Sequence, residues 1–228
     1  MGLTINYTLS VKEPLRVAEI RELVERAARY AKKIGCVEVS RVWRANGDRK
    51  TAGLFVTVGR PEDGCFGFIP ATHGWLATAW PGKGSEDAKF GLCQYSRRVP
   101  YRNGTVPSGF TGGWLLQGSC KTQYAAEHGW NHFLLCHKRV ISLLEFWRQL
   151  GVTVEVKDEG GYWETRSEEK LRAALQAYDH LIGALAGMCK DAADEAGPGL
   201  RVEAPIFARK DFERLEAEAR RELARPLS

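Results

Sequence analysis

Hydrophobic positions alternate with polar ones over residues 3–9 and then change period. Ile20, Leu23, Val24, Ala27, Ala28, Ala31 and Ile34 recur at helical spacing, with Pro14 suited to a first turn and Gly35 to a stop. Residues 36–43 are β-branched and apolar-rich again, so the opening stretch to residue 43 reads as strand, helix, strand. A second unit of the same order lies further on: Trp114 to Lys121 as a strand, residues 130–150 as a helix, Gly151 as punctuation and residues 152–157 as an alternating strand. A crossover helix joining two parallel strands is the favoured assembly for such an order, and both strands then end on one edge of the sheet. The helix exits also match, Lys33-Ile-Gly35 before CVEVSRV and Gln149-Leu-Gly151 before VTVEVKD, which makes an internal pseudo-repeat one reading.

Glycine and proline break residues 51–113 into short apolar runs at 54–58, 75–80 and 91–99, a pattern of antiparallel strands. Residues 83–89 and 101–111 read as loops. After Trp163, Thr165 and Glu168 have the spacing of a capping box, and Leu171, Ala174, Leu175, Tyr178, Leu181, Ile182 and Leu185 mark one helical face. Residues 190–205 read as a linker, and a charge-rich amphipathic helix is expected from Asp211 to about Leu223. The expected fold is α+β: two strand-helix-strand units share a mixed sheet with added antiparallel strands, followed by C-terminal helices. Residues 1–190 form one core, divisible into halves 1–100 and 101–190, and residues 191–228 are linker and terminal helix.

Composition narrows the classes. With 44% hydrophobic residues in 228, the chain can bury a sizeable core, and its net charge of +5 permits anionic partners without indicating one. No apolar run approaches membrane-spanning length, and the first residues lack a charged leader followed by an apolar stretch. Gly2 does not open a myristoylation motif, because Asn6 stands where Ser or Thr is needed. The six cysteines are widely spread with no C-x-x-C pair, as free thiols in a reducing cytoplasm would be. A cytoplasmic protein is the expectation.

Candidate chemistry collects where the second unit turns. Ligands of open α/β arrangements sit outside the carboxyl ends of parallel strands, beside helix starts. Here the first strand delivers Cys120, Lys121, Gln123 and Tyr124, the helix entry delivers His128 and His132, and the second strand delivers Asp158, Glu159, Tyr162 and Trp163. Cys120, with a cation beside it and a helix start ahead, has the setting of a thiolate nucleophile, against the commoner role of cysteine as a small buried hydrophobe. His137 lies on an otherwise apolar stripe, where a hydrogen-bonded core histidine is the usual outcome and a general base the sharper one. Asp158 and Glu159 are adjacent on an extended chain, so their side chains face opposite ways and only one points into the rim, as base, acceptor or partner of Lys121. Cys120, Lys121, His137 and Glu159 are thus the catalytic candidates; Gln123, Tyr124, His128, His132, Asp158, Tyr162 and Trp163 are the ligand-binding ones.

His128, His132 and Cys136 are four residues apart, as ligands on one helix face would be, but Gly129 interrupts the helix start and no metal site is assigned. Gly113 and Gly118 are spaced as in a phosphate-binding loop, yet Ser119-Cys120 stand before Lys121-Thr122, so the motif fails. No cofactor follows from any motif. The expected function is binding of a small polar or anionic ligand at this rim, with catalysis on it as an extension. Two other readings stand beside it: a single-stranded nucleic-acid module using Lys83, Lys89, Arg97, Arg98 and Arg102, and a non-catalytic assembly subunit using the terminal helix.

Overall fold

The computed structural model describes residues 3–45, 47, 52–57, 66–101, 104–196 and 217. The expected terminal helix at 211–223 lies outside them apart from Ala217, as do Cys65 and Arg102. No described helix is long and apolar enough to cross a membrane. The chain divides into two compact units, a larger one at 4–158 and a smaller one formed by 159–228 with residues 1–3.

In the larger unit, β1 (Thr4–Val11), β9 (Trp114–Lys121) and β10 (Thr153–Asp158) join β5 (Phe66–Trp80), β6 (Ala88–Tyr95) and the short β2 (Glu38–Val39) in one sheet. The order is β10-β1-β9-β6-β5-β2, with β3 (Trp43–Arg44) and β4 (Gly53–Thr57) also paired to β5. A separate hairpin joins β7 (Arg98–Tyr101) to β8 (Gly104–Pro107), where a loop was expected.

The α+β class holds, but each described neighbour pair is antiparallel. The parallel strands of the second unit, β9 and β10, are not neighbours, because β1 lies between them and pairs with both. In the first unit three strands separate β1 from β2. β1 pairs antiparallel on both sides, with β9 over Thr4–Val11 and with β10 over Ile5–Ser10, while the two C-terminal ends still reach the same edge: Lys121 pairs with Thr4 and Asp158 with Ile5. The strand expected over residues 36–43 is two short pieces on the sheet border.

Alternation sorts the sheet into two faces. Ile5, Tyr7 and Leu9 are buried, as are Leu116 and Cys120 opposite them, whereas Asn6, Thr8, Gln117 and Ser119 are partly or fully exposed. The buried face is covered by α1 (Val17–Lys33) and α2 (Trp130–Gln149). From α1 come Ile20, Val24, Ala27 and Ala31; from α2 come Phe133, Val140, Leu144 and Trp147. Tyr30 and Phe146 stack at 4.1 Å between the helices, and Trp147 meets Phe90 of β6 edge-on. Arg139 ties the layer together: it donates to the carbonyls of Ile34, at the end of α1, and Pro81.

The smaller unit contains α3 (Tyr162–Thr165) and the long α4 (Glu168–Ala196). Ser167, not Thr165, caps α4: its Oγ accepts the Lys170 N–H at 3.2 Å, while the Thr165 hydroxyl donates back to the Gly161 carbonyl. The helix start expected at Thr165 is therefore displaced by two residues to Ser167, a simple N-cap without a reciprocal box because N3 is Lys170, and Thr165 is spent closing the turn of α3.

Candidate functional site at the strand-end edge

β5, β9 and β10 run in one direction and end on one edge of the sheet. Parity then decides which rim residues face inward. Cys120, Ile5 and Asp158 form one cross-strand row on the helix-covered face, and Thr122 continues the parity of Cys120. Lys121 pairs with Thr4 and belongs to the other face.

Under α2 this inward row meets His137. The Thr122 hydroxyl lies 3.0 Å from His137 Nδ1, and His137 Nε2 lies 3.1 Å from Asp158 Oδ2. A carboxylate accepts, so His137 Nε2 donates to Asp158, while Nδ1 shares a hydrogen bond with the Thr122 hydroxyl. Hydroxyl, imidazole and carboxylate in line form the arrangement that activates a nucleophile elsewhere. Here the His137 and Asp158 side chains and all of Thr122 have no exposed surface, so no reacting atom can approach them. The three residues instead tie the ends of β9 and β10 to α2.

Cys120 is equally enclosed. Its thiol donates to the Glu86 carbonyl at 3.1 Å, and burial, with the carboxylates of Glu86 and Asp87 adding to it, pushes the thiol far above its ordinary value. This environment opposes the thiolate expected from Lys121, because the ammonium is engaged elsewhere. Lys121 Nζ lies 3.9 Å from Glu86 Oε1, its N–H donates to Glu86 Oε2 at 3.1 Å, and the Glu86 N–H donates to the Lys121 carbonyl at 2.8 Å. The partner of Lys121 is thus Glu86, from the β5–β6 loop. Tyr124 is exposed with the Lys121 ammonium 6.0 Å from its ring centre, while its neighbour Gln123 is buried.

His128 ends a short 3-10 helix (Gln123–His128) and is exposed, its ring 5.4 Å from His132. His132 Nε2 donates to the Lys83 carbonyl at 2.9 Å and lies 3.5 Å from Cys136 Sγ. Gly82 is pressed on this pair, since a Cβ there would fall 2.7 Å from Cys136 Sγ. Among the described residues no three His, Cys, Asp or Glu side chains gather in a way that could hold a metal. Glu159, Tyr162 and Trp163 belong to the smaller unit, where Glu159 is exposed and the Arg166 guanidinium lies 4.9 Å from the Trp163 ring and 6.0 Å from that of Tyr162.

A cavity of about 400 Å³ opens at the same edge, lined by Glu38, Thr78, Trp80, Ser85, Glu86 and Asp87. Glu86 makes it continuous with Lys121. Sequence reasoning missed both Thr122 and Glu86, for different reasons. Thr122 was legible from parity, because Trp114, Leu116 and Cys120 already mark the inward side of β9. Glu86 was not, because nothing local says that its loop returns to the end of β9.

The cations proposed for nucleic acid are divided. Lys89 lies at the start of β6 and Lys83 in the loop before it, whereas Arg97 and Arg98 lie beyond its end, on the order of 20 Å from Lys89 at the rise of a strand. Arg98 is also spent within its hairpin, donating to Thr105. Comparison of the chain with protein-family models, with curated proteins and with solved structures finds no match to any of them.

Proposed function

We propose that this protein binds a small polar ligand bearing a positive charge in the cavity at the strand-end edge. The carrying observation is the lining: Glu38, Glu86 and Asp87 surround one cavity with the Trp80 ring, and no basic side chain lines it among the described residues. Carboxylates attract an ammonium or similar group, and an indole adds a face on which a cation is stabilised. An anion, expected when Lys121 alone was legible, is the poorer fit, since Glu86 holds that ammonium. The buried Thr122-His137-Asp158 line supports the reading indirectly, by fixing the ends of β9 and β10.

The direct test is native mass spectrometry of the purified protein, repeated on the double variant Glu86→Gln, Asp87→Asn. Both residues are exposed, so each change should cost no more than about 0.5 kcal/mol of stability. The expected result is a retained small cationic molecule in the parent protein and its loss in a variant that melts normally. A steep fall in melting temperature with unchanged binding per folded molecule would mean that these carboxylates are structural partners of Lys121 and not a ligand site.

A further inference from the structure

A second cavity, of about 480 Å³, lies at the opposite end of β9 on the face turned away from α1 and α2. Ser10 and Gln117 line it from the sheet, Lys12 from just past the end of β1, the loop 108–112 from the other side, and Leu54 and Leu115 give it apolar wall. Among the described residues that line it there is no carboxylate. Its charge character is thus the reverse of the rim cavity's.

The loop is built and held. Ser108 is 1% exposed, its N–H donates to the Arg97 carbonyl at 2.9 Å, its hydroxyl donates to the Ser96 carbonyl at 2.6 Å, and it accepts the Phe110 N–H at 3.2 Å. Phe110 packs edge-on against Tyr95, and the ring also lines the cavity. Gly112 and Gly113 both have positive φ, at +118° and +79°. A Cβ at Gly113 would meet the Val11 carbonyl at 2.5 Å, so only glycine lets the loop pass this close to β1. A Cβ at Gly112 would fall 2.8 Å from Arg97 Nη2, which places a guanidinium against the loop beside the cavity.

We infer that this cavity binds an organic anion, a phosphate or carboxylate joined to a flat apolar body. Lys12, with the hydroxyls of Ser10 and Thr111, supplies charge and donors for the anionic head; Phe110, Leu54 and Leu115 receive the apolar part. The inference is independent of the rim site, with which this cavity shares no lining residue.

The experiment is a heteronuclear NMR titration of the full chain with phenyl phosphate, benzoate and benzylamine as probes. The expected result is saturable shifts at the amides of Gly109, Phe110, Thr111 and Gln117 with one or both anions, and none of comparable size with benzylamine. Phosphate alone, or benzoate alone, identifies the head group. Lys12→Gln, at an exposed position, should weaken binding about tenfold, as loss of one charge-assisted contact does, while Glu86→Gln at the rim leaves it unchanged. Absence of shifts with both anions, equal shifts with benzylamine, or undiminished affinity in Lys12→Gln would each overturn the assignment. Because the parent spectra already separate anion from amine, the conclusion does not depend on how the variant folds.

Discussion

His137 shows how one side chain changes meaning between sequence and structure. A histidine on an apolar stripe invites a catalytic reading, yet its two nitrogens are committed to Thr122 and Asp158 inside the larger unit. Removing the ring takes a hydrogen bond from each of two enclosed groups and leaves a hole. His137→Ala should therefore lower unfolding free energy by about 3 kcal/mol or more, measured by urea denaturation. A loss below about 1 kcal/mol would show that the tie is dispensable. The thiols give a second prediction. Cys189 is exposed, whereas Cys93, Cys120 and Cys136 have no exposed surface. Alkylation mapped by mass spectrometry should modify Cys189 at least about a hundredfold faster than those three, which react only through opening of the fold. Fast labelling of Cys120 would restore it as a nucleophile.

At the scale of the element, small local choices decide where helices start and how closely strands meet. Ser167→Ala should cost about 1 kcal/mol, the usual worth of an N-cap, and this assigns the start of α4 to Ser167. In the sheet, Gly91 of β6 faces Leu76, and a Cβ there would stand 2.1 Å from the Trp75 carbonyl at a φ of +150°. That contact is with backbone and cannot be relieved by a rotamer change. Gly91→Ala should destabilise by roughly 2 kcal/mol or more, read as a lower thermal midpoint. Periodicity located α1, α2 and α4 because each buries a stripe. It failed on β2 and β3, because a β-branched run along a sheet border pairs only where its neighbour reaches.

For the whole molecule, burial of several thiols predicts a loss of stability at alkaline pH. Cys36 is pushed up to about 11 and Cys93 up to about 12, chiefly by burial. An unfolded thiol titrates near 8.5, so above that pH the folded chain holds protons that the unfolded chain has released. The contribution of these thiols is complete below about pH 8.5 and is lost as pH rises toward 11 and 12. Urea midpoints should be flat with respect to these groups between pH 7 and 8 and fall between pH 9 and 11. Cys93→Ala should reduce that fall, and an unchanged slope would argue that other groups govern it.

The alternation and helical periods of this chain determined the α+β class, the strand-helix-strand order and the edge at which Cys120, Lys121 and Asp158 gather. They did so because burying one face of a strand or helix is a local requirement, visible in one stretch of sequence. The same parity, followed further along β9 and β10, would have placed Thr122 and Asp158 beneath α2. Tertiary structure alone decided that β1 lies between β9 and β10, that the β5–β6 loop brings Glu86 to Lys121, and that loop 108–113 closes a cavity at the far end. Those outcomes depend on which distant segment fills a given backbone ladder. Proline apart, the hydrogen-bonding groups of the main chain are the same at every residue, so the sequence of one strand does not name its neighbour.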